Sequence, residues 1–266
     1  MGLYENMNIF IAAILGAVQG LTEFLPVSST GHLIVAEKWL GVSQERFGLT
    51  FDAALHLGTL TAVVLYFWGD IAKLISFDRG VTRLWMLVVV GIVPAGIFGV
   101  LFEDAVATVF RSPWAVILGL MGGSIAFVLA EKVGKRAREL SSGNTRDALI
   151  IGLAQVFSFI PGVSRSGITI AAGLGLGFRR ENAARFSFLM AIPLFAAAGL
   201  KRLTGIELAA LGANDLLFFM IGTIAAAVSG YLVIAFLMRY LAQHSLFPFV
   251  WYRFLFAGLI FLFLNK

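Results

Sequence analysis

Two short stretches hold most of the chemistry-bearing side chains that lie between apolar runs of this chain. The first carries Gln19, Glu23, Ser28, Ser29, Thr30 and His32; the second carries Gln155, Ser158, Ser164, Arg165, Ser166, Gly167 and Thr169. An ionisable group at the centre of a membrane helix costs at least ~2.5–3.5 kcal/mol on insertion scales, which makes it a functional candidate by default. Ser28–Gly31 and Ser164–Gly167 each open a short apolar segment. The first turn of a helix offers unpaired N–H groups and about half a positive charge, and Ser, Thr and Gly let a ligand approach it. Two such turns facing one another, with Arg165 as a bidentate fork, make an anion site matched to phosphate oxygens. A diphosphate would take one turn per phosphate, with Ser28, Thr30, Ser164, Arg165, Ser166, Gly167 and Thr169 around it. The alternative is that the hydroxyls only cap helices and bond back to their own backbone. That alternative stands for Thr30 and Ser166. It does not stand for Arg165, because a guanidinium at that depth needs an anion.

Glu23 has three roles open to it: ion-pair partner of Arg165, metal ligand, or general base. A carboxylate beside a diphosphate recruits Mg²⁺ readily, since Mg²⁺ binds through one or two carboxylates plus substrate phosphates. Gln19 lies four residues earlier on the same helix face and extends such a site through its carbonyl oxygen. His32 sits one turn into the next segment, where general acid or base is its best role and a satisfied core histidine the alternative. Ser29 is a hydroxyl nucleophile candidate, activated by Glu23 or His32. Other polar residues rank lower. Asp52 and His56 read as an interfacial pair near the outer surface, Glu103 and Asp104 as a span end, His244 as an inner-loop residue, and Arg179-Arg180-Glu181 as cytoplasmic anchoring.

The elements that position these residues follow from composition. Of 266 residues, 59% are hydrophobic and only 13% charged, against roughly 25% charged in ordinary soluble domains. Mean hydropathy is +0.92, and the charges cluster between long apolar stretches, as in a polytopic membrane protein. Nucleic-acid binding is excluded by the lack of a basic patch with interleaved aromatics. With no cysteine in the chain, disulfides, thiolate metal sites and Cys nucleophiles are excluded too. The first basic residue is Lys38, so no cleavable signal is expected and the whole chain is expected to be the mature protein.

A helix needs about 20 apolar residues to span the hydrocarbon core. Six segments qualify: 50–68, 84–103, 113–131, 184–204, 214–239 and 247–265. Segments 8–40 and 148–176 differ, each pairing two half-length apolar pieces about a Pro/Gly/Ser-rich break. Non-helical backbone at membrane depth is tolerated only where protein or water covers it, so both are expected to be re-entrant hairpins; the alternative is that 8–25 spans fully. Ile14-Leu15-Gly16, Gln19 and Phe24-Leu25-Pro26 match Ile150-Ile151-Gly152, Gln155 and Phe159-Ile160-Pro161, with one small insertion. The expectation is an all-α polytopic protein forming a single integral membrane domain, 1–266. Residues 1–131 are a first repeat, 132–147 a basic cytoplasmic loop and 148–266 a second repeat. Each repeat is a hairpin plus three spans. An odd number of crossings turns the second repeat upside down, and inverted repeats place their site near the midplane where broken helices meet.

Lys/Arg placement sets orientation. With both termini outside, the inner face holds Lys73, Arg79, Arg83, Lys132, Lys135, Arg136, Arg138, Arg146, Arg179, Arg180, Arg185, Arg239 and Arg253, and the outer face only Lys38, Arg46, Arg111, Lys201, Arg202 and Lys266. The first hairpin then dips in from the outer, periplasmic face and the second from the cytoplasm.

Gly16 to Leu33, GAVQGLTEFLPVSSTGHL, and Pro161 to Thr169, PGVSRSGIT, resemble the two signatures of the bacitracin-resistance family of undecaprenyl-diphosphate phosphatases, and the resemblance extends over the full length. It implies hydrolysis of undecaprenyl diphosphate to the monophosphate and phosphate, recycling the lipid carrier for peptidoglycan in a bacterial inner membrane. It also implies a divalent cation, Mg²⁺ or Ca²⁺, and a site open to the periplasm. Glu23 is implied as the metal-linked or basic carboxylate, Ser29 as nucleophile, His32 as proton-transfer group and Arg165 as phosphate-binding arginine, with Ser164, Ser166 and Thr169 around it. The family often has Glu where this chain has Gln19, which removes a formal charge from any metal site. The partners expected are a polyprenyl diphosphate and membrane lipids, no nucleic acid, and a homo-oligomer is compatible with the pattern. A lipid transporter shares the inverted-repeat architecture and is the main rival. A phosphatidic-acid-type phosphatase fits poorly: that class uses a Pro-Ser-Gly-His stretch and a later histidine downstream of Ser-Arg, whereas here Ser-Thr-Gly-His precedes Ser-Arg and the only histidine after Arg165 is His244, far from the motif.

Overall fold

The computed structural model describes residues 9–42, 44–75, 79–102, 113–203 and 213–264, and these form helices joined by turns. α1 (Ile9–Phe24) and α2 (Ser29–Trp39) flank the first bend, and α3 (Gln44–Tyr66) runs straight into α4 (Trp68–Ile75). α5 (Arg79–Leu101) and α6 (Pro113–Val133) follow, then α7 (Thr145–Val156) and α8 (Arg165–Gly175) about the second bend. α9 (Arg180–Leu203), α10 (Ala213–Gln243) and α11 (Phe247–Leu264) complete the chain. All six expected spans fall on helices. α3 stops at Tyr66, short of the expected 68, while α10 runs on to Gln243. Residues 103, 204 and 265, and with them Glu103 and Asp104, lie outside the described residues.

By length and apolarity, Gly80–Leu101, Trp114–Val133, Arg180–Gly199 and Asn214–Gln243 can each cross a bilayer; the apolar parts of α1, α3 and α11 are shorter. Their outer faces are what water would not tolerate. Met86, Val89, Val93, Ile97 and Val100 form an exposed stripe on α5, and Trp251, Leu255, Leu259 and Leu262 another on α11. Soluble monomers rarely expose apolar patches beyond a few hundred Å². These stripes face lipid, and the chain is an all-α polytopic membrane protein.

Lipid gives helices no hydrophobic reason to associate, so close backbone approach through small residues takes over. α1 lies against α10 through Gly16 and Gly20: a Cβ on Gly16 would meet the Gly222 carbonyl, and one on Gly20 would meet Ser229 Oγ and the Ala226 carbonyl. α7 meets α5 in the same manner, Gly152 lying on the Gly91 carbonyl and Pro94. Gly20→Val is therefore expected to destabilise by about 3 kcal/mol, the upper end for overpacking. Gly122→Ala, where an added Cβ has nothing within 4 Å, should leave the thermal midpoint unchanged or slightly raised. Thermal unfolding in detergent, read by loss of the monodisperse species, checks both.

At one end of the bundle the ionic groups neutralise one another. Glu131, ending α6, accepts hydrogen bonds from Arg180 Nη2 (2.6 Å), Arg136 Nη1 (3.0 Å) and the Leu246 amide (2.8 Å). Arg138 forks onto Asp147 at 2.6 and 3.1 Å. Asp147 also closes a capping box with Asn144 that starts α7. Arg179 pairs with Glu139 and Glu181, so the Arg179-Arg180-Glu181 cluster anchors helices.

Candidate active site

The two bends fold alike. Each ends in a serine held in the left-handed region, Ser28 at φ 74° and Ser164 at φ 73°, a conformation costing a non-glycine residue roughly 1–2 kcal/mol. Each serine is followed at once by a helix: Ser29 opens α2 and Arg165 opens α8. The strained residue reverses the chain within the bend and turns the next side chain back toward α1.

Glu23, on the last turn of α1, is where the bends meet. Ser29 donates its hydroxyl hydrogen to Glu23 Oε2 at 2.7 Å, and Gln19 Nε2 donates to the same oxygen at 3.1 Å. Arg165 Nη2 lies 3.4 Å from Glu23 Oε1. Arg165 also donates through Nη1 to the Ser187 carbonyl (3.1 Å) and stacks its guanidinium 4.8 Å above the Phe195 ring. Glu23 and Gln19 are buried, so pairing is what makes a carboxylate and a guanidinium tolerable there. A hydroxyl bonded to a carboxylate, beside an arginine, is the arrangement that activates an oxygen nucleophile next to a phosphate-binding group.

The remaining expected residues divide. Ser166 Oγ lies 3.3 Å from the Glu23 carbonyl and 3.2 Å from the Leu25 carbonyl, tying the second bend to the first. Ser164 Oγ caps α8 by accepting from the Gly167 amide at 3.3 Å. Thr169 Oγ1 lies 2.8 Å from the Arg165 carbonyl and 2.7 Å from Ser187 Oγ. A Cβ at Gly167 would strike the Phe127 ring. These residues support the cluster. Ser28 is buried without a side-chain cap bond, and Thr30 is exposed, a third of a helical turn beyond Ser29.

The His32 ring is held by Ser28, Tyr252 and Phe256. Its Nδ1 lies 2.8 Å from the Ser28 carbonyl, which can only accept, so Nδ1 carries the hydrogen. Nε2 lies 2.6 Å from the Tyr252 hydroxyl, and the ring stacks on Phe256 with centroids 4.0 Å apart. The imidazole that does face Glu23 is His56, with Nε2 at 3.9 Å from Oε2 and Nδ1 donating to the Asp52 carbonyl at 2.8 Å. Arg253, counted from sequence among inner-face cations, is fully buried beneath both bends. Both residues sit inside apolar runs. The cost of an ionisable group in an apolar run, which singled out Glu23 and Arg165, applies to them too, but it does not say what they touch.

Fold and site together define an integral membrane protein with a buried carboxylate–guanidinium–hydroxyl centre assembled from two helix–bend–helix units. The family described as bacitracin resistance protein BacA matches residues 12–259, and the chain belongs to that family. It is 46% identical over 265 residues to an undecaprenyl-diphosphatase of Rubrobacter xylanophilus, covering 96% of this chain and 97% of the relative. It is 46% identical over 260 residues to one of Moorella thermoacetica, with the same coverage. One of Geotalea daltonii is 43% identical over 270 residues, covering 97% of this chain and 99% of that relative.

Proposed function

We propose that the chain hydrolyses undecaprenyl diphosphate to undecaprenyl phosphate and inorganic phosphate, regenerating the carrier lipid for peptidoglycan synthesis and thereby conferring bacitracin resistance. The observation that carries this is the contact of Glu23 with Ser29 from one bend and Arg165 from the other. Phosphoryl transfer asks for positioning and charge stabilisation. Arg165 holds and neutralises a terminal phosphate, the helix starts at Ser29 and Arg165 supply amides, and Glu23 takes the proton of the attacking oxygen. The names of the relatives point to the same substrate.

The oxygen donors suit a hard divalent cation, Mg²⁺ or Ca²⁺. Gln19 Oε1 is buried with no hydrogen-bond partner, a carbonyl oxygen available beside the Glu23 carboxylate. Glu23 and Gln19 would hold the ion together with the substrate's phosphate oxygens, and when bound it would neutralise phosphate charge. Chelation is expected to abolish phosphate release, with Mg²⁺ or Ca²⁺ restoring it, and Gln19→Glu to lower the metal concentration for half-activation by about tenfold, one added charge contact being worth that much. A metal requirement unmoved by Gln19→Glu would remove Gln19 from the site.

The inverted-topology reading is supported by the matching φ of Ser28 and Ser164 and by reciprocal packing, α1 on α10 and α7 on α5. We place the protein in the bacterial inner membrane with both termini and the site's opening on the periplasmic side, in keeping with the Lys/Arg distribution. Purified protein in detergent, given a polyprenyl diphosphate, should release phosphate with no gradient present; lipid translocation without phosphate release would favour the transporter instead.

A further inference from the structure

Arg253 lies in the apolar run Phe247–Leu264, yet it is the largest fully buried side chain of the described residues. No carboxylate is among its partners. Its Nε lies 3.0 Å from Ser124 Oγ and 3.2 Å from the Leu120 carbonyl. Nη1 donates to the Pro26 carbonyl and to the Val163 carbonyl, each at 3.1 Å. Nη2 reaches the carbonyls of Gly162 (2.8 Å), Leu120 (3.0 Å) and Gly119 (3.1 Å). The guanidinium lies 4.8 Å from the Phe127 ring centroid. Every N–H is satisfied, and almost every acceptor is a backbone carbonyl.

These carbonyls come from three places: Pro26 in the first bend, Gly162 and Val163 in the second, and Gly119 and Leu120 on α6. A bend frees carbonyls that a helix would have bonded, and in hydrocarbon each unsatisfied one costs several kcal/mol. One planar fork satisfies both bends at once, which an ammonium with three donors on a single nitrogen cannot reproduce. The α6 backbone is opened for it: a Cβ on Gly123 would strike Arg253 Nη2, and one on Gly119 would strike the Pro161 carbonyl. The pinned residues lie immediately before the starts of α2 and α8, the helices that present Ser29 and Arg165.

We infer that Arg253 is a positioning residue, which fixes the two bends against each other and so sets the spacing of Ser29, Glu23 and Arg165. This rests on the proposed hydrolysis only for its kinetic readout. The cation touches none of the three groups. Its hydrogen-bond partners are neutral carbonyls and a hydroxyl, so none of them cancels its charge.

The test is Arg253→Lys and Arg253→Ala in purified, monodisperse protein. Arg253→Lys is expected to lower kcat for phosphate release by about 100-fold while KM stays within about threefold, the pattern of lost transition-state geometry. Guanidinium chloride at low millimolar concentration is expected to restore part of the activity of Arg253→Ala, which a loss of folded protein would not allow. Backbone hydrogen exchange gives a readout independent of activity: Arg253→Lys should raise exchange at residues 27–31 and 163–168 together. Should the Arg253 variants not fold, Gly123→Ala displaces the fork while keeping its charge and is expected to lower kcat by about tenfold. Native kcat in Arg253→Lys or in folded Gly123→Ala would overturn the inference, as would exchange rising at one bend alone. Absence of phosphate release from native protein, with exchange still rising at both bends in Arg253→Lys, would sink the proposed function and leave the positioning role standing.

Discussion

Arg165→Ala is expected to release phosphate at less than about one-thousandth of the native rate, and Arg165→Lys to recover only a small part of the loss. Arg165 divides its donors between the Ser187 carbonyl and Glu23, and Phe195 fixes its plane. Its Nε is buried without a partner, and Nη1 and Nη2 each carry a second N–H, so donors remain for an incoming oxygen. Lysine places a single charged atom at the end of a flexible chain and cannot serve these directions together. The same variant predicts a stability result of unusual sign. Removing Arg165 leaves Glu23 as an uncompensated buried carboxylate, and breaking a buried pair in this way costs about 3–5 kcal/mol. Adding Glu23→Gln to Arg165→Ala removes that charge, so the double variant should melt higher than Arg165→Ala alone. Thermal midpoints in detergent decide this, and near-native turnover in Arg165→Ala would remove the phosphate-binding role.

The second large effect is at Glu23. Glu23→Gln keeps the size of the side chain and an oxygen for Ser29 but loses the charge, and kcat is expected to fall by about 10²–10⁴, the range for a lost general base. If hydroxyl and carboxylate act as one unit, Ser29→Ala falls to a similar level and the double variant is no worse than the poorer single, since residues acting together are strongly non-additive. Multiplying losses would mean that the 2.7 Å contact between Ser29 and Glu23 is structural and that the attacking oxygen is activated elsewhere.

Spans and bends could be read from the chain because each leaves a local trace. Apolar length marks a helix that can cross lipid, and Pro-Gly-Ser clusters mark where it stops. Glu23, Ser29 and Arg165 were legible for the same reason, being polar at a break between apolar segments. What escaped depended on distant partners. Arg253 resembled one more inner-face cation because nothing near it in sequence shows that α11 packs on α6 beneath both bends. His56 resembled an interfacial residue because the approach of α3 to Glu23 is set by α10, against which both α1 and α3 lie. The partners of His32 were not legible either: its ring reaches the carbonyl four residues back, and Tyr252, 220 residues away in sequence, meets the other nitrogen. Thr30 follows from helical geometry alone, since with Ser29 aimed at Glu23 the next residue points about 100° away.

In the proposed function both bends together grip one lipid diphosphate. The most direct measurement is the dissociation constant of a methylene-bridged, non-hydrolysable polyprenyl diphosphate analogue for native protein, Arg165→Lys and Glu23→Gln, set beside the corresponding monophosphate. Native protein is predicted to bind the diphosphate analogue at least about tenfold more tightly than the monophosphate, one added charge-assisted contact being worth that much. Arg165→Lys should erase the difference. Equal affinity of native protein for the two lipids, or a preference that survives in Arg165→Lys, would contradict it.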